Sequence, residues 1–228
     1  VVKNMENVIG AGMTGNVLFT GTSAANTITT GSGNDTIHGG GGGDVISTDG
    51  GDDTVDFWAS ETSIDSGTGT NTLVMKAAAT ISLATSDQPT GDSPNVSGFT
   101  HVDASALSTG ISMSAGGTAN LLIGGTGADT ILSSAGADTI RGGGGADSIH
   151  GGNDDDTIDY NATETMIDAG TGNDTLVMRV GGTVNLANAD QTSGDSTTVQ
   201  SFEYVDASNL LAAQAASITG SSGANTLT

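Results

Sequence analysis

An all-β solenoid, made of short parallel strands joined by glycine-rich turns, is the fold the sequence predicts. Three observations carry that expectation: an aliphatic residue recurs every nine positions, glycine and aspartate fill the gaps, and the whole pattern occurs twice in 228 residues. A helix has no use for this period. Nine residues advance it by about 2.5 turns and throw successive aliphatic side chains to opposite faces.

The duplication sets the organisation. A displacement of 103 residues aligns positions 21–107 with 124–210 without a gap, most plainly where GDDTVDFWASETSIDSGTGTNTLVM from Gly51 meets DDDTIDYNATETMIDAGTGNDTLVM from Asp154. The ends are partial copies, since Met5 to Val8 echo Phe202 to Val205 and GSSGANTLT resembles the phrase that opens at Gly21. The expected layout is a tail of a preceding module over 1–20 and a first module over 21–123, with nonapeptides 21–74 and irregular strands 75–115. A second module over 124–219 comes next, with nonapeptides 116–177 and irregular strands 178–216, and a further repeat starts at 220–228.

Within each module the apolar beat falls on Ile28, Ile37, Ile46, Val55, Ile64 and Leu73, then on Leu122, Ile131, Ile140, Ile149, Ile158, Ile167 and Leu176. Each nonapeptide divides into a glycine-rich turn and a three-residue strand, as in residues 142–147 followed by Ser148-Ile149-His150. Two nonapeptides make one coil, and the middle strand residue points into a core between two parallel sheets. That core is thin. Burying one isoleucine contributes about 1.5–3 kcal/mol, while ordering each residue of the unit costs about 1–2 kcal/mol in backbone entropy. Apolar burial alone loses the contest.

Composition narrows what else holds the chain together. With 26 Asp and Glu against 4 Lys and Arg, the formal net charge is −22, which excludes partners presenting a phosphate surface, nucleic acids and anionic membranes alike. There is no Cys, hence no disulfide and no thiolate site. Seven aromatic residues cannot build a bulky core, yet 35% hydrophobic residues is too many for an acidic disordered tail. No apolar run approaches a membrane span, and the N-terminus lacks the pattern of a signal peptide.

The acids themselves keep the beat. Asn26, Asp35, Asp44 and Asp53 are nine residues apart, as are Asn120, Asp129, Asp138, Asp147 and Asp156, so residues 18 apart fall one above the other. This stacks Asn26 on Asp44, Asp35 on Asp53 and Asn71, Asp129 on Asp147, and Asn120 on Asp138, Asp156 and Asp174. Stacked strands are about 4.7–4.9 Å apart, a distance at which unpaired carboxylates repel. A hard cation turns the repulsion into ligation, with carbonyls of the turns near Gly31, Gly33, Gly40, Gly42, Gly67, Gly69, Gly125, Gly127, Gly143, Gly145, Gly152, Gly170 and Gly172 completing an oxygen shell. Ca²⁺ suits such a shell better than Mg²⁺, which demands strict octahedral geometry. Several ions are expected, about six to eight at two charges each.

The units GGGGADSIH (142–150), GGTGADTIL (124–132) and TGSGNDTIH (30–38) resemble the GGxGxDxUx nonapeptide of RTX (repeats-in-toxin, or hemolysin-type) calcium-binding proteins. The resemblance covers residues 21–56 and 116–159. It implies a right-handed parallel β-roll with Ca²⁺ in the turns, in a protein exported by type I secretion. Asn at 26, 71 and 120 departs from the pattern and removes charge, and Asp49 and Asp154 stand where the family has glycine. The glycine turn is lost at 57–62 and 160–165, where Glu61 and Glu164 are candidates to close the ladders above Asp44 and Asp147, an exposed solvated Glu being the alternative.

After Met75 and Met178 the texture changes. Thr80-Ile81-Ser82-Leu83 and Phe99-Thr100-His101-Val102 read as strands around a polar loop. The loops from Asp87 to Ser93 and from Asp190 to Ser196 read as Asx-stabilised turns, with an extra cation or glycan site as the alternative. Enzymatic chemistry is not expected: His38, His101 and His150 have Arg141, Tyr204 and Ser47 at the matching positions, and no nucleophile pairs with a base. Trp58 packs over an irregular turn or forms a sugar platform. Two functions remain. One is a calcium-responsive structural module of a secreted protein. The other is an adhesin, biofilm or surface-layer repeat that binds polysaccharide or neighbouring copies at the cell surface. The repeat region of a secreted protease, lipase or epimerase is a third setting, with its catalytic residues outside this segment.

Overall fold

A computed structural model of the chain describes residues 2–3, 6–90, 95–211 and 213–228. Met5 and residues 91–94, which include part of the Asp87 to Ser93 loop, lie outside them. The fold is all-β and its strands stack in parallel sheets. Among the described residues no helix is long and apolar enough to cross a membrane. Two compact units are formed, Val1–Leu107 and Ser108–Thr228.

In the first unit one sheet stacks Leu18–Thr20, Thr36–His38, Thr54–Phe57, Asn71–Met75 and Phe99–Asp103. The facing sheet stacks Asn7–Ile9, Thr27–Thr29, Val45–Ser47, Ser63–Asp65 and Asn95–Ser97. Every pairing in both sheets is parallel, and alternate nonapeptides go to alternate sheets. Phe19, Ile37, Val55 and Leu73 are therefore in register in one sheet and Ile28, Ile46 and Ile64 in the other, none more than 1% exposed. The nine-residue beat is the core.

The second unit repeats this plan. Leu121–Ile123, Thr139–Arg141, Thr157–Tyr160, Thr175–Met178, Tyr204–Asp206 and Thr226–Leu227 form one parallel stack. Ser112–Ser114, Thr130–Leu132, Ser148–Asn153, Met166–Thr171 and Thr198–Gln200 form the other. The units divide before Ser108, ahead of Gly124, because Ser112–Ser114 pairs with Thr130–Leu132 and so belongs to the second stack.

The irregular segments interrupt the coil without ending it. Ile64 pairs with Val96 and Leu73 with Val102, and in the second unit Ile167 pairs with Val199 and Leu176 with Val205. The steps of 32 and 29 residues replace the step of 18, and the excess forms a hairpin. Thr80–Ser82 runs antiparallel to Pro89–Thr90, and Gly182–Asn185 to Thr192–Ser193. A buried glutamine clips each hairpin to the roll. Gln88 donates Nε2 to the Phe99 carbonyl (2.7 Å) and accepts the Phe99 N–H (2.9 Å). Gln191 does the same with Phe202 (3.0 and 2.9 Å). Asp87 and Asp190 accept the N–H groups of Val96 and Val199, each at 3.1 Å.

Candidate metal-binding turns

The structure brings the stacked residues together as columns, and one contact repeats along them. Above Asn26 and Asn120, which start their columns, the Oδ1 atom at each position accepts the backbone N–H of the residue 18 earlier. Asn26 donates to Asp44, Asp35 to Asp53, Asp53 to Asn71, Asp129 to Asp147, Asp138 to Asp156 and Asp156 to Asp174, all at 2.8 Å, and Asn120 to Asp138 at 2.7 Å. One carboxylate oxygen thus sets the register between coils.

The other oxygen is left over. Oδ2 of Asp35, Asp44, Asp53, Asp147, Asp156 and Asp174 is buried and has no hydrogen-bond partner among the described residues. Leaving a buried acceptor unsatisfied costs about 1–3 kcal/mol, and more for a charged group. Burial, reinforced by neighbouring carboxylates, pushes Asp44, Asp138, Asp147 and Asp174 up to about 6 and Asp156 up to about 7. Asp53 moves upward for the same reason, and burial raises Glu61 against the backbone N–H groups that favour its charged form. Two positions are already satisfied: Asp129 Oδ2 accepts the Gly125 N–H at 2.8 Å, and Asp138 Oδ2 accepts the Ser133 hydroxyl.

No protein cation reaches these columns among the described residues. Three of the four basic residues are spent on two other acids, Lys76 on Asp56 and both Arg141 and Arg179 on Asp159, while His38 Nδ1 lies 2.9 Å from Asp56 Oδ2. Compensation for the turn carboxylates has to come from solution.

The turns are shaped around the leftover oxygens. A Cβ on Gly39 or Gly142 would lie 2.4 Å from Oδ2 of Asp44 or Asp147, and one on Gly151 would lie 2.5 Å from Oδ2 of Asp156. Gly142→Ala is accordingly expected to lower both calcium affinity and the melting temperature in calcium, at about the 1–3 kcal/mol of an overpacked core site. Calcium-dependent thermal denaturation checks this. Gly143 and Gly145 take φ of 94° and 121°, and Asp49 and Asp154 adopt the same left-handed region at 67° and 75°. Asp tolerates that region better than most residues, so the turn keeps its course where glycine is replaced. Among the turn carbonyls, that of Gly125 accepts the Gly144 N–H and that of Gly143 accepts Asn161 Nδ2.

Glu61 and Glu164 end the columns in a different way. Both are buried, near enough to raise Asp44 and Asp147. Their oxygens are held by N–H groups of their own turn: Trp58 (2.8 Å) and Ser60 (3.1 Å) for Glu61, Asn161 (3.0 Å) and Thr163 (3.1 Å) for Glu164. Ala59 and Ala162, at φ of 61° and 60°, bend the turn around the carboxylate. Asn71 also closes its column, donating Nδ2 to the carbonyls of Ser66 and Gly98, both at 3.0 Å. Asn26 Oδ1 accepts the Thr22 N–H at 3.0 Å.

Glu203 was not among the expected ligands, yet its Oε2 accepts the Asp174 N–H at 3.0 Å and continues the longest column. It precedes Val205 by two residues, as Asp174 precedes Leu176, but a step of 29 residues hides it from an 18-residue comparison.

Among the described residues no three His, Asp or Glu side chains gather at one point. A cation would therefore take one or two carboxylates and draw its other ligands from turn carbonyls, a donor set of hard oxygens that fits Ca²⁺. Fold and site together define a parallel β-roll with carboxylate-bearing, cation-demanding turns. The RTX calcium-binding nonapeptide repeat family matches residues 20–55, 114–148 and 132–162, in four copies, and the chain carries repeats of this family. No curated protein matches the sequence.

Proposed function

We propose that this segment is a calcium-dependent folding module of a secreted protein, unfolded while calcium is scarce inside the cell and folded on export. The six buried carboxylate oxygens without a partner among the described residues carry this reading. The chain's own residues do most of the work: Oδ1 of each Asp fixes the preceding coil, the left-handed turn residues close the coil, and Oδ2 faces the turn. In the metal-free chain the like charges oppose the thin aliphatic core. Calcium, when bound, would supply two positive charges and accept a flexible shell of six to eight oxygens. Asp44 with the turn at Gly40 and Gly42, Asp147 with that at Gly143 and Gly145, and Asp53 and Asp156 on the other edge would hold it. The module scaffolds and does not catalyse, and an unfolded chain suits passage through a type I exporter.

A calcium titration followed by far-UV circular dichroism tests the reading. Cooperative gain of β-structure is expected near the roughly 10⁻⁴–10⁻³ M typical of extracellular calcium modules, with Mg²⁺ a poor substitute. A chain equally folded in excess chelator would falsify it.

One observation favours a second role at the cell surface. Trp58 is 42% exposed beside the Glu61 turn, a position from which its ring can stack on a sugar of an extracellular polysaccharide. Glycan-array binding that disappears in Trp58→Ala, with the calcium-dependent fold unchanged, is the expected result for that role.

A further inference from the structure

The column in the second unit runs through Asn120, Asp138, Asp156 and Asp174 and then continues to Glu203. Glu203 immediately precedes the strand that returns after the hairpin, beyond residue 162 where the matched repeats end. Asp174 and Glu203 therefore present carboxylates at successive levels of one edge, joined by the same N–H contact that joins Asp156 to Asp174. Asp174 is 0% exposed and its Oδ2 has no partner among the described residues. The described ion pairs place no cation on either residue.

A sharp turn delivers Glu203 to that level. Ser201 sits at φ 68°, and its Oγ donates to Asp168 Oδ1 at 2.8 Å while Gln200 Nε2 donates to Asp168 Oδ2 at 2.8 Å. A non-glycine residue is disfavoured in this region, so the conformation is held by its surroundings.

The first unit provides an internal control. At the matching level stand Asn71, Gly98 and Thr100 in place of Asp174, Ser201 and Glu203. There the Asn71 amide donates to the Ser66 and Gly98 carbonyls, at 3.0 Å each. N–H donors occupy the place that a cation would take between carbonyl oxygens. The same fold level is closed by an amide in one unit and is left with two carboxylates in the other.

We propose that Asp174 and Glu203 hold a divalent cation, calcium by the hardness of its donors, which clips the returning strand Tyr204–Asp206 onto Thr175–Met178. Both residues lie beyond the matched repeats, although Asp174 keeps the nonapeptide register and only Glu203 falls outside it, and the site rests on the reading that the turn carboxylates bind calcium. Asn71 performs the same closure without metal in the first unit.

Calcium bound per chain, measured by equilibrium dialysis at saturating Ca²⁺, tests this with the full 228-residue chain. Glu203→Gln keeps an oxygen for the Asp174 N–H and is expected to bind one ion fewer than the wild type. The double exchange Asn71→Asp with Thr100→Glu, which transplants the site into the first unit, is expected to bind one ion more. Unchanged counts in both variants, with the wild type binding calcium, overturn this site and leave the repeat reading intact. A wild type that binds no calcium overturns both. Should Glu203→Gln fail to fold in calcium, the transplant decides alone: a gain of one ion supports the site and no gain overturns it.

Discussion

Acidifying the calcium-free protein from about pH 7.5 to about pH 5 is expected to restore much of the β-structure that chelation removes. Asp44, Asp138, Asp147 and Asp174 ionise near 6 and Asp156 near 7 in the fold, against 3.8 as the ordinary value. Between about pH 4 and pH 6–7 the folded state therefore holds more protons than the unfolded state, and the free energy of unfolding falls as pH rises. The stabilisation is fully present below about pH 4 and lost as pH rises through about 6–7. Protons and calcium relieve the same buried charge, so each substitutes for the other. Calcium needs the ionised carboxylates, so the folded chain should bind calcium more weakly on acidification even as protons favour the fold. Circular dichroism of the chelated protein across pH, with calcium titrations at two pH values, checks both signs. A chelated chain indifferent to pH would contradict them.

Asp156 is the residue whose replacement should move the calcium midpoint most. It accepts the Asp138 N–H, donates its own N–H to Asp174, and keeps a buried Oδ2 without a partner among the described residues. Asp156→Ala removes a ligand from the middle of the column and strands the Asp138 N–H, a loss of about 1–3 kcal/mol before any metal term. The midpoint should rise about tenfold or more, since about 1.4 kcal/mol is a factor of ten. Asp156→Asn separates the two effects. The amide oxygen can still accept the Asp138 N–H, but a negative charge is gone, so the metal-free chain should fold more readily while calcium binds more weakly. Asp190→Ala, which loses a 3.1 Å bond from the Val199 N–H, should shift the midpoint far less.

What could be read from the sequence is whatever obeys the nine-residue register. Ile28, Ile46 and Ile64 announce the core because each strand is only three residues long and shows one side chain inward. Asp35 and Asp53 announce the columns because the coil is 18 residues, so sequence spacing and spatial neighbourhood coincide. Features that break the register were hidden. Gln88 and Gln191 clip their hairpins across a separation of 11 residues, a distance unrelated to the beat. Glu203 reaches its column only after the hairpin has stretched the coil. The inward turn of Glu61 and Glu164 onto their own N–H groups depends on left-handed Ala59 and Ala162, and alanine gives little sign of that conformation. Asp56 and Asp159 resemble ordinary strand acids in the sequence, and only the fold gathers His38, Lys76, Arg141 and Arg179 around them.

Anomalous scattering from a crystal grown in calcium speaks directly to the role of the buried carboxylates. Anomalous peaks are expected about 2.3–2.6 Å from Oδ2 of Asp44, Asp53, Asp147 and Asp156, with turn carbonyl oxygens around them. An ordered roll with no anomalous peak at these oxygens would contradict the assignment of the turns as calcium sites.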